Sequence, residues 1–390
     1  MNNKDLMKNE LIEILAESGG SVIDRENCMF DRLSGGKGNP LVLFGAGILG
    51  KKVLAGLRKR GISPLLFCDN DPKKWGKYID GLMVLSPQEA VKRYGQTAVF
   101  VITIFSHMHS YHDVKIQLER IGCRYVSPFI AVACKYPDLF LPYYYLDMPH
   151  KILEQSEKVY KAFSLLSDKK SRINYLNQLK WRFLLNVQGL SELTQNEQYF
   201  DSDIVVLKND DVFVDCGAYD GDTVKKYLQC AGNEFKKIYA FEPDSKNYSR
   251  LKKYISKLPY KNRRKINVSK CAVGENSGQS MFGGHGSLDS SMNQSGKHKV
   301  KVVSLDEKLI GEDITFIKLD IEGAEYDALL GAEKIIAKKK PIIAVCVYHR
   351  QDDLWKIPIF IDSIMPNYRY YLRQYEEDGF GLILYAVPIK

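Results

Sequence analysis

Residues 212–223, VFVDCGAYDGDT, limit the possible fold more than any other stretch of the chain. An apolar, β-rich run ends in Asp215, Gly217 and Gly221 open a turn, and TVKKYL follows with Val224, Tyr227 and Leu228 on one helical face. Glycines remove the Cβ atoms that would hold a ligand off the backbone, and they accept φ > 0. Strand, glycine loop and helix therefore make a small-molecule cradle.

IYAFEPD (238–244) is predicted as a second buried strand. It ends in Glu242, about 20 residues downstream, where nucleotide-binding α/β units place a carboxylate that accepts both ribose hydroxyls. KINVSKCAVG (265–274) is expected as a third strand, and TFIKLDIEGAE (315–325) as a fourth that releases Asp320 and Glu322 at its carboxyl end. PIIAVCVYH (341–349) is a fifth and delivers His349 to the same place. Ligands of open parallel sheets bind outside the carboxyl ends of the strands, so these polar residues should converge on one rim. YRYYLRQYEEDGFGLILYAVPI (368–389) should add an antiparallel edge pair.

In this order the motifs resemble the class I S-adenosylmethionine-dependent methyltransferases, and specifically the FkbM family. The residues that carry the resemblance are FVDCGAYDGDT, YAFEPD, CAVGENSG, GHGS at 284–287, FIKLDIEGAE and VCVYHRQDDLW, within residues 195–388. It implies S-adenosylmethionine as cofactor. Asp215, Gly217, Tyr219 and Gly221 would cradle its methionine part, and Asp222 and Thr223 would cap the helix behind. Glu242 would take the ribose hydroxyls, and Ala272 and Val273 would border the adenine. The resemblance also places His285 and Ser287 in a substrate-side insertion, the Gly/Ser-rich tract 276–297, as candidate substrate contacts. A surface hairpin with no role is the competing expectation there.

Asp320, Glu322 and His349 are the candidate catalytic residues. His349, whose unperturbed pKa is nearest neutrality, is a natural general base for a sugar hydroxyl. The same oxygen and nitrogen donors could hold a divalent metal, although no metal site is assigned at this stage. Competing structural roles are a helix cap for Glu322 and a satisfied buried histidine for His349.

Upstream, LVLFGAGILGKKVLAGLRKRG (41–61) is another strand, glycine turn and helix, with Gly45, Gly47 and Gly50 in G-x-G-x-x-G spacing. Asp69, at the end of PLLFCDND (64–71), stands where a ribose-binding acid belongs. This module, expected to hold three to four strands, is similar to the small N-terminal Rossmann modules of sugar-modifying enzymes. It would take a dinucleotide, nucleotide or nucleotide-sugar, or serve as a scaffold with an empty loop. From 131 to 200 the texture is aromatic and helical, which makes a connector.

The predicted fold class is therefore α/β: two Rossmann-like doubly wound sheets, the C-terminal one a class I methyltransferase fold, joined by a helical connector. The expected division is an N-terminal helical segment (1–33), the Rossmann-like module (34–130), the connector (131–200) and the methyltransferase domain (201–390). At 390 residues, 45% hydrophobic and 26% charged, the composition is that of a globular protein. No apolar run is long enough to span a membrane and no signal peptide opens the chain, so a cytoplasmic location is expected. Eight cysteines without a Cys-x-x-Cys pair are expected to be reduced core thiols. The net charge of +9 is concentrated in 236–270, where twelve Lys or Arg face two acids. This stretch is read as a solvated helix face and loop, nucleic acid is an improbable partner, and a small-molecule or glycan acceptor is preferred. A homo-oligomer is compatible with the sequence. The expected function is O-methylation of a hydroxyl on a sugar, glycan precursor or related metabolite. The rival is a nucleotide-sugar or dinucleotide binding protein whose methyltransferase-like half is a non-catalytic scaffold.

Overall fold

The computed structural model describes residues 3–106, 109–186, 189–190, 192–283, 291–292 and 298–389. Two compact units emerge: one from residues 1–156, 174–193 and 376–380, the other from 157–173, 194–375 and 381–390. Residues 131–200 are thus divided between them. Among the described residues no helix is long and apolar enough to cross a membrane.

The first unit holds a six-stranded sheet of β1 (Leu41–Phe44), β2 (Leu66–Cys68), β3 (Tyr78–Ile79), β4 (Leu82–Leu85), β5 (Val99–Ile102) and β6 (Tyr125–Pro128). Their order is β3-β4-β2-β1-β5-β6, parallel throughout except for β3 against β4. Periodicity alone found three to four strands here. It missed the short pair at 78–85, which flanks a turn, and β6, whose four residues follow a helix with little turn signal.

The second unit is organised on β7 (Val212–Cys216), β8 (Lys237–Phe241), β9 (Ile266–Ser269), β14 (Phe316–Leu319), β15 (Ile342–Cys346), β16 (Tyr368–Gln374) and β17 (Leu382–Pro388). The order is β16-β17-β15-β14-β7-β8-β9. From β9 to β15 the strands are parallel, while β17 runs antiparallel to both β15 and β16. The last two strands form the expected antiparallel edge pair, with β16 outermost and the final strand β17 next to β15. Chain order reverses between β7, which leads outward to β8 and β9, and β14, which leads the other way. Such a reversal opens a crevice at the carboxyl ends of the two central strands.

Every residue of β7 and β14 is buried, as the uninterrupted runs VFVDC and FIKL suggest for strands covered on both faces. The helix Asp222–Cys230 lays Val224, Tyr227 and Leu228 into the core as expected. Tyr227 stacks on Phe213 of β7, with ring centroids 4.5 Å apart. The stretch expected as a single third strand divides: β9 stays in the main sheet, whereas β10 (Ala272–Val273) pairs with β13 (His298–Val303). With β11 (Gly278–Gly283) and β12 (Ser291–Met292) they form a separate four-stranded sheet. His285 and Ser287 lie outside the described residues.

Gly217 (φ +82°) packs its Cα against the Asp320 carbonyl, so any Cβ would overlap that oxygen. Gly232 (φ +58°) has no atom within 4 Å of where its Cβ would stand. Gly217→Ala is expected to lose ~1–3 kcal/mol more than Gly232→Ala in chemical denaturation, since only the former adds overlap to left-handed strain. Equal losses would mean that loop and strand end are not in contact.

Candidate active site

Asp215, the last core position but one of β7, is fully buried and stands opposite Lys318 in the register of β7 and β14. The ammonium is 3.1 Å from Asp215 Oδ1, and it donates to the carbonyls of Gly217 (2.8 Å) and Cys216 (3.3 Å). Burial pulls the Lys318 pKa down, but Asp215, then Asp320 and Asp222, hold it above its usual value. Burial also pushes Asp215 up, against the pull of Lys318. With three oxygens around Nζ, the ionised pair is the state the geometry supports. Asp215 thus has an internal ion-pair partner at Oδ1.

Both loop glycines take the positive φ expected of them. Gly217 makes room for the Asp320 backbone, and Gly221 (φ +97°) makes room for Tyr254 and Leu251. The loop's bare backbone thus serves tight packing against β14 and the helix Ser245–Ser256. Gly221 is also the N-cap residue of the helix Asp222–Cys230, without a side-chain cap. Asp222 instead accepts from the Thr223 amide (2.7 Å), with Thr223 buried and Asp222 exposed.

Glu242, at the end of β8, turns back to this loop. Its Oε2 accepts the Tyr219 amide (2.9 Å) and its Oε1 the Asp244 amide (2.8 Å). Burial pushes its pKa up to about 7, despite those two amides. A carboxylate offers about four lone-pair sites, so one acceptor position on each oxygen remains for a vicinal diol. The residues present therefore fit an adenosyl ligand: an acid beside the loop, fixed in orientation, with acceptor capacity left over. Ala272 and Val273 are buried in β10, outside the main sheet.

Asp320, Glu322 and His349 do come together. Tyr199 donates to Asp320 Oδ2 (2.8 Å), while Oδ1 lies 3.5 Å from the Tyr348 hydroxyl and 3.6 Å from His349 Nε2. Burial raises Asp320, but Lys318, His349 and the Tyr199 hydrogen bond hold its carboxyl below the usual range. Glu322 adopts φ 57°, a left-handed conformation rare outside glycine, and brings Oε2 to 3.5 Å from His349 Nε2. It does not cap the following helix, whose N-cap position is Ala324.

The acid that serves the backbone there is Glu325. It is fully buried, accepts the amides of Ile321 (2.8 Å) and Gly323 (3.0 Å), and lies 2.9 Å from His349 Nδ1. Burial alone would lower the His349 pKa, but Glu325, then Glu322 and Asp320, push it up to about 10. A neutral histidine base is thus not what the site presents at physiological pH. Asp320, ionised and partly open to solvent, is the better proton acceptor.

Sequence reading missed Lys318, Glu325, Tyr199 and Tyr348. Lys318 leaves a usable signal, a charged residue inside an otherwise apolar central strand, which demands a buried partner. Glu325 lies only three residues past Glu322, and Tyr199 leaves no signal in its own segment.

In the first unit Gly45 (φ +113°) lies in the turn between β1 and the helix Ile48–Lys59, Gly47 is that helix's N-cap, and Gly50 sits in its first turn. Asp69 accepts the amides of Ala46 (2.8 Å) and Asp71 (2.9 Å), the same two-sided arrangement as Glu242. It additionally holds the Lys74 ammonium at 2.9 Å.

Residues 215–372 match the family model described as Methyltransferase FkbM domain. By structure the chain is similar to the crystal structure of Methyltransferase FkbM from Methylobacillus flagellatus KT, with 21% identity and a TM-score of 0.78. That match covers 98% of this chain and 100% of the other, and it shows a common fold. An rRNA methylase from Streptococcus thermophilus matches with 14% identity over 47% of this chain and 90% of its own, at a TM-score of 0.32. A Streptococcus mutans protein solved in complex with SAH matches with 13% identity over 46% and 90%, at 0.30. Likenesses this low say nothing about this chain's ligand. No curated protein matches the sequence.

Removing the Lys318 charge while keeping Asp215 should leave an uncompensated buried carboxylate. Lys318→Met is expected to cost about 3–5 kcal/mol in denaturant unfolding, with much of that recovered in the double variant Asp215→Asn/Lys318→Met. Additive losses would show that the two groups are not coupled.

Proposed function

We propose that this chain, whose residues 215–372 form an FkbM methyltransferase domain, is an O-methyltransferase that uses S-adenosylmethionine and methylates a hydroxyl of a sugar, glycan precursor or related metabolite. The observation that carries this reading is the direct packing of the glycine loop on the Asp320 backbone. The cradle attributed to the donor and the carboxylate attributed to the acceptor are consecutive surfaces of one crevice. Transfer from a sulfonium depends mainly on holding two atoms in line at near contact, so that adjacency is the main requirement.

When bound, S-adenosylmethionine supplies a methyl group on a positively charged sulfur that is already a good leaving group. Glu242 would hold the ribose, with the Tyr219 and Asp244 amides fixing the carboxylate's orientation. Lys318 pins the Gly217 carbonyl and keeps the loop closed on β14. Asp320 would accept the proton of the acceptor hydroxyl during transfer. Tyr199 anchors the far oxygen of Asp320, so the near one is presented in a set direction.

A sugar hydroxyl suits this rim because carboxylates, tyrosine hydroxyls and an imidazolium offer both acceptors and donors to a polyhydroxylated ligand. The rival reading rests on the first unit's glycine turn as the functional nucleotide site. There Asp69 already carries Lys74 as well as two amides, which leaves it less acceptor capacity for a ribose than Glu242 has. That difference favours the second unit as the nucleoside site, with any nucleotide or nucleotide-sugar of the first unit an addition to it.

Calorimetric titration with S-adenosylhomocysteine should show saturable binding that Glu242→Ala weakens roughly 10–100-fold. Asp320→Asn should leave that binding within a fewfold while lowering methyl transfer about 10²–10⁴-fold, measured with labelled donor on a sugar-containing extract. Binding indifferent to Glu242 would overturn the donor site, and full activity in Asp320→Asn would overturn the base.

A further inference from the structure

We propose that the basic face formed by the helix Ser245–Ser256 and the short helix Tyr260–Arg263 docks the second unit on an anionic lipid surface. Residues 245–270 carry ten Lys or Arg and no acid, which exceeds the net charge of the whole chain, +9. The rest of the chain is therefore close to neutral, and its positive excess sits on one segment. Charges scattered over a surface serve solubility equally well, so their concentration points to a partner.

The longer helix arranges these bases by face. Asn247, Leu251 and Ile255 are buried, at the i, i+4, i+8 positions that meet the core. Lys246, Arg250, Lys253 and Lys257 recur at i, i+4, i+7 and i+11, and all four are exposed, so they draw one line along the outer side. At 1.5 Å per residue that line is about 16 Å long. Like charges three and four residues apart repel, so the line is kept against a local cost to the helix. Lys261, Arg263 and Arg264 are exposed as well and extend the field beyond the helix's end. Among the described residues no ion pair joins any of these bases to an acid, whereas Lys236 and Lys237, just upstream, pair with Asp313 and Glu312.

The aromatic residues of the segment decide between anionic partners. Tyr254 packs toward Gly221, and Tyr248 is half-buried with the Lys252 ammonium 5.8 Å from its ring centre. Within 245–270 that leaves Tyr260 as the one strongly exposed ring, at 70%. Single-stranded nucleic acid is held by successive stacking rings, which a lone tyrosine does not supply. One exposed tyrosine among unpaired bases matches an interfacial anchor beside anionic headgroups. The line of bases begins two residues past Asp244, whose amide Glu242 accepts, and so at the rim of the crevice. The inference concerns where the chain works and does not depend on which group it transfers.

The test is sedimentation of the full chain with vesicles of phosphatidylcholine alone and of equal parts phosphatidylcholine and phosphatidylglycerol. Binding to the mixed vesicles only is expected, and it should weaken at least tenfold between about 0.05 and 0.5 M salt. Each base near an anionic surface is worth about fivefold in affinity, so Lys246→Gln/Arg250→Gln/Lys253→Gln/Lys257→Gln should bind about 10²–10³-fold more weakly. The control Lys51→Gln/Lys59→Gln/Lys73→Gln/Lys77→Gln removes the same charge from the first unit and should stay within about threefold of the parent, since it leaves the face intact. All eight side chains are exposed, so both variants should keep the parent's thermal unfolding. Failure to bind the mixed vesicles at low salt, or equal losses in the two variants, would overturn the docking face. Tighter binding to an oligouridylate than to the mixed vesicles would overturn it in favour of nucleic acid.

Discussion

The second unit depends on one buried ion pair. Lys318 and Asp215 face each other across the two central strands, at the point where chain order reverses and the crevice opens. Neither charge can reach water, so each enforces the position of the other. Because Nζ also binds the Cys216 and Gly217 carbonyls, the pair fixes the path of the loop leaving β7. That path brings Gly217 against the end of β14, from which Asp320 emerges. A single electrostatic constraint therefore sets both the backbone that would hold a donor and the carboxylate that would meet an acceptor.

The two units solve the glycine-turn problem in the same way. In each, the acid ending the second strand accepts one amide from the first loop and one from two residues beyond itself: Glu242 from Tyr219 and Asp244, Asp69 from Ala46 and Asp71. These bonds tie adjacent βα turns together whether or not a ligand is bound. What separates the units is the remaining acceptor capacity, which Lys74 reduces at Asp69. An acid at this position is thus first a clasp between turns and only then a ribose contact.

Much of this architecture was legible in the chain. Buried parallel strands are near-continuous apolar runs, so 212–216, 316–319 and 342–346 could be found from composition, and the rule on carboxyl ends then brought Asp320, Glu322 and His349 to one rim. Which strand of the edge pair lies outermost is not legible, because an antiparallel hairpin has the same pattern in either order. The Lys318 partner of Asp215 is not legible, because it lies about a hundred residues away and only the register of β7 on β14 joins them. The surroundings of His349 are hidden for a similar reason. Its unperturbed value suggests a base, but Glu325 stands 2.9 Å from Nδ1 and raises it, a pairing that no periodicity reveals.

A crystal structure of the chain grown with S-adenosylhomocysteine tests the central claim most directly. The account requires the ribose diol on Glu242, the homocysteine part along the loop 217–221, and the sulfur directed at the open side of Asp320. Density for the ligand in the first unit's turn instead, or in the crevice with its sulfur turned away from Asp320, would contradict it.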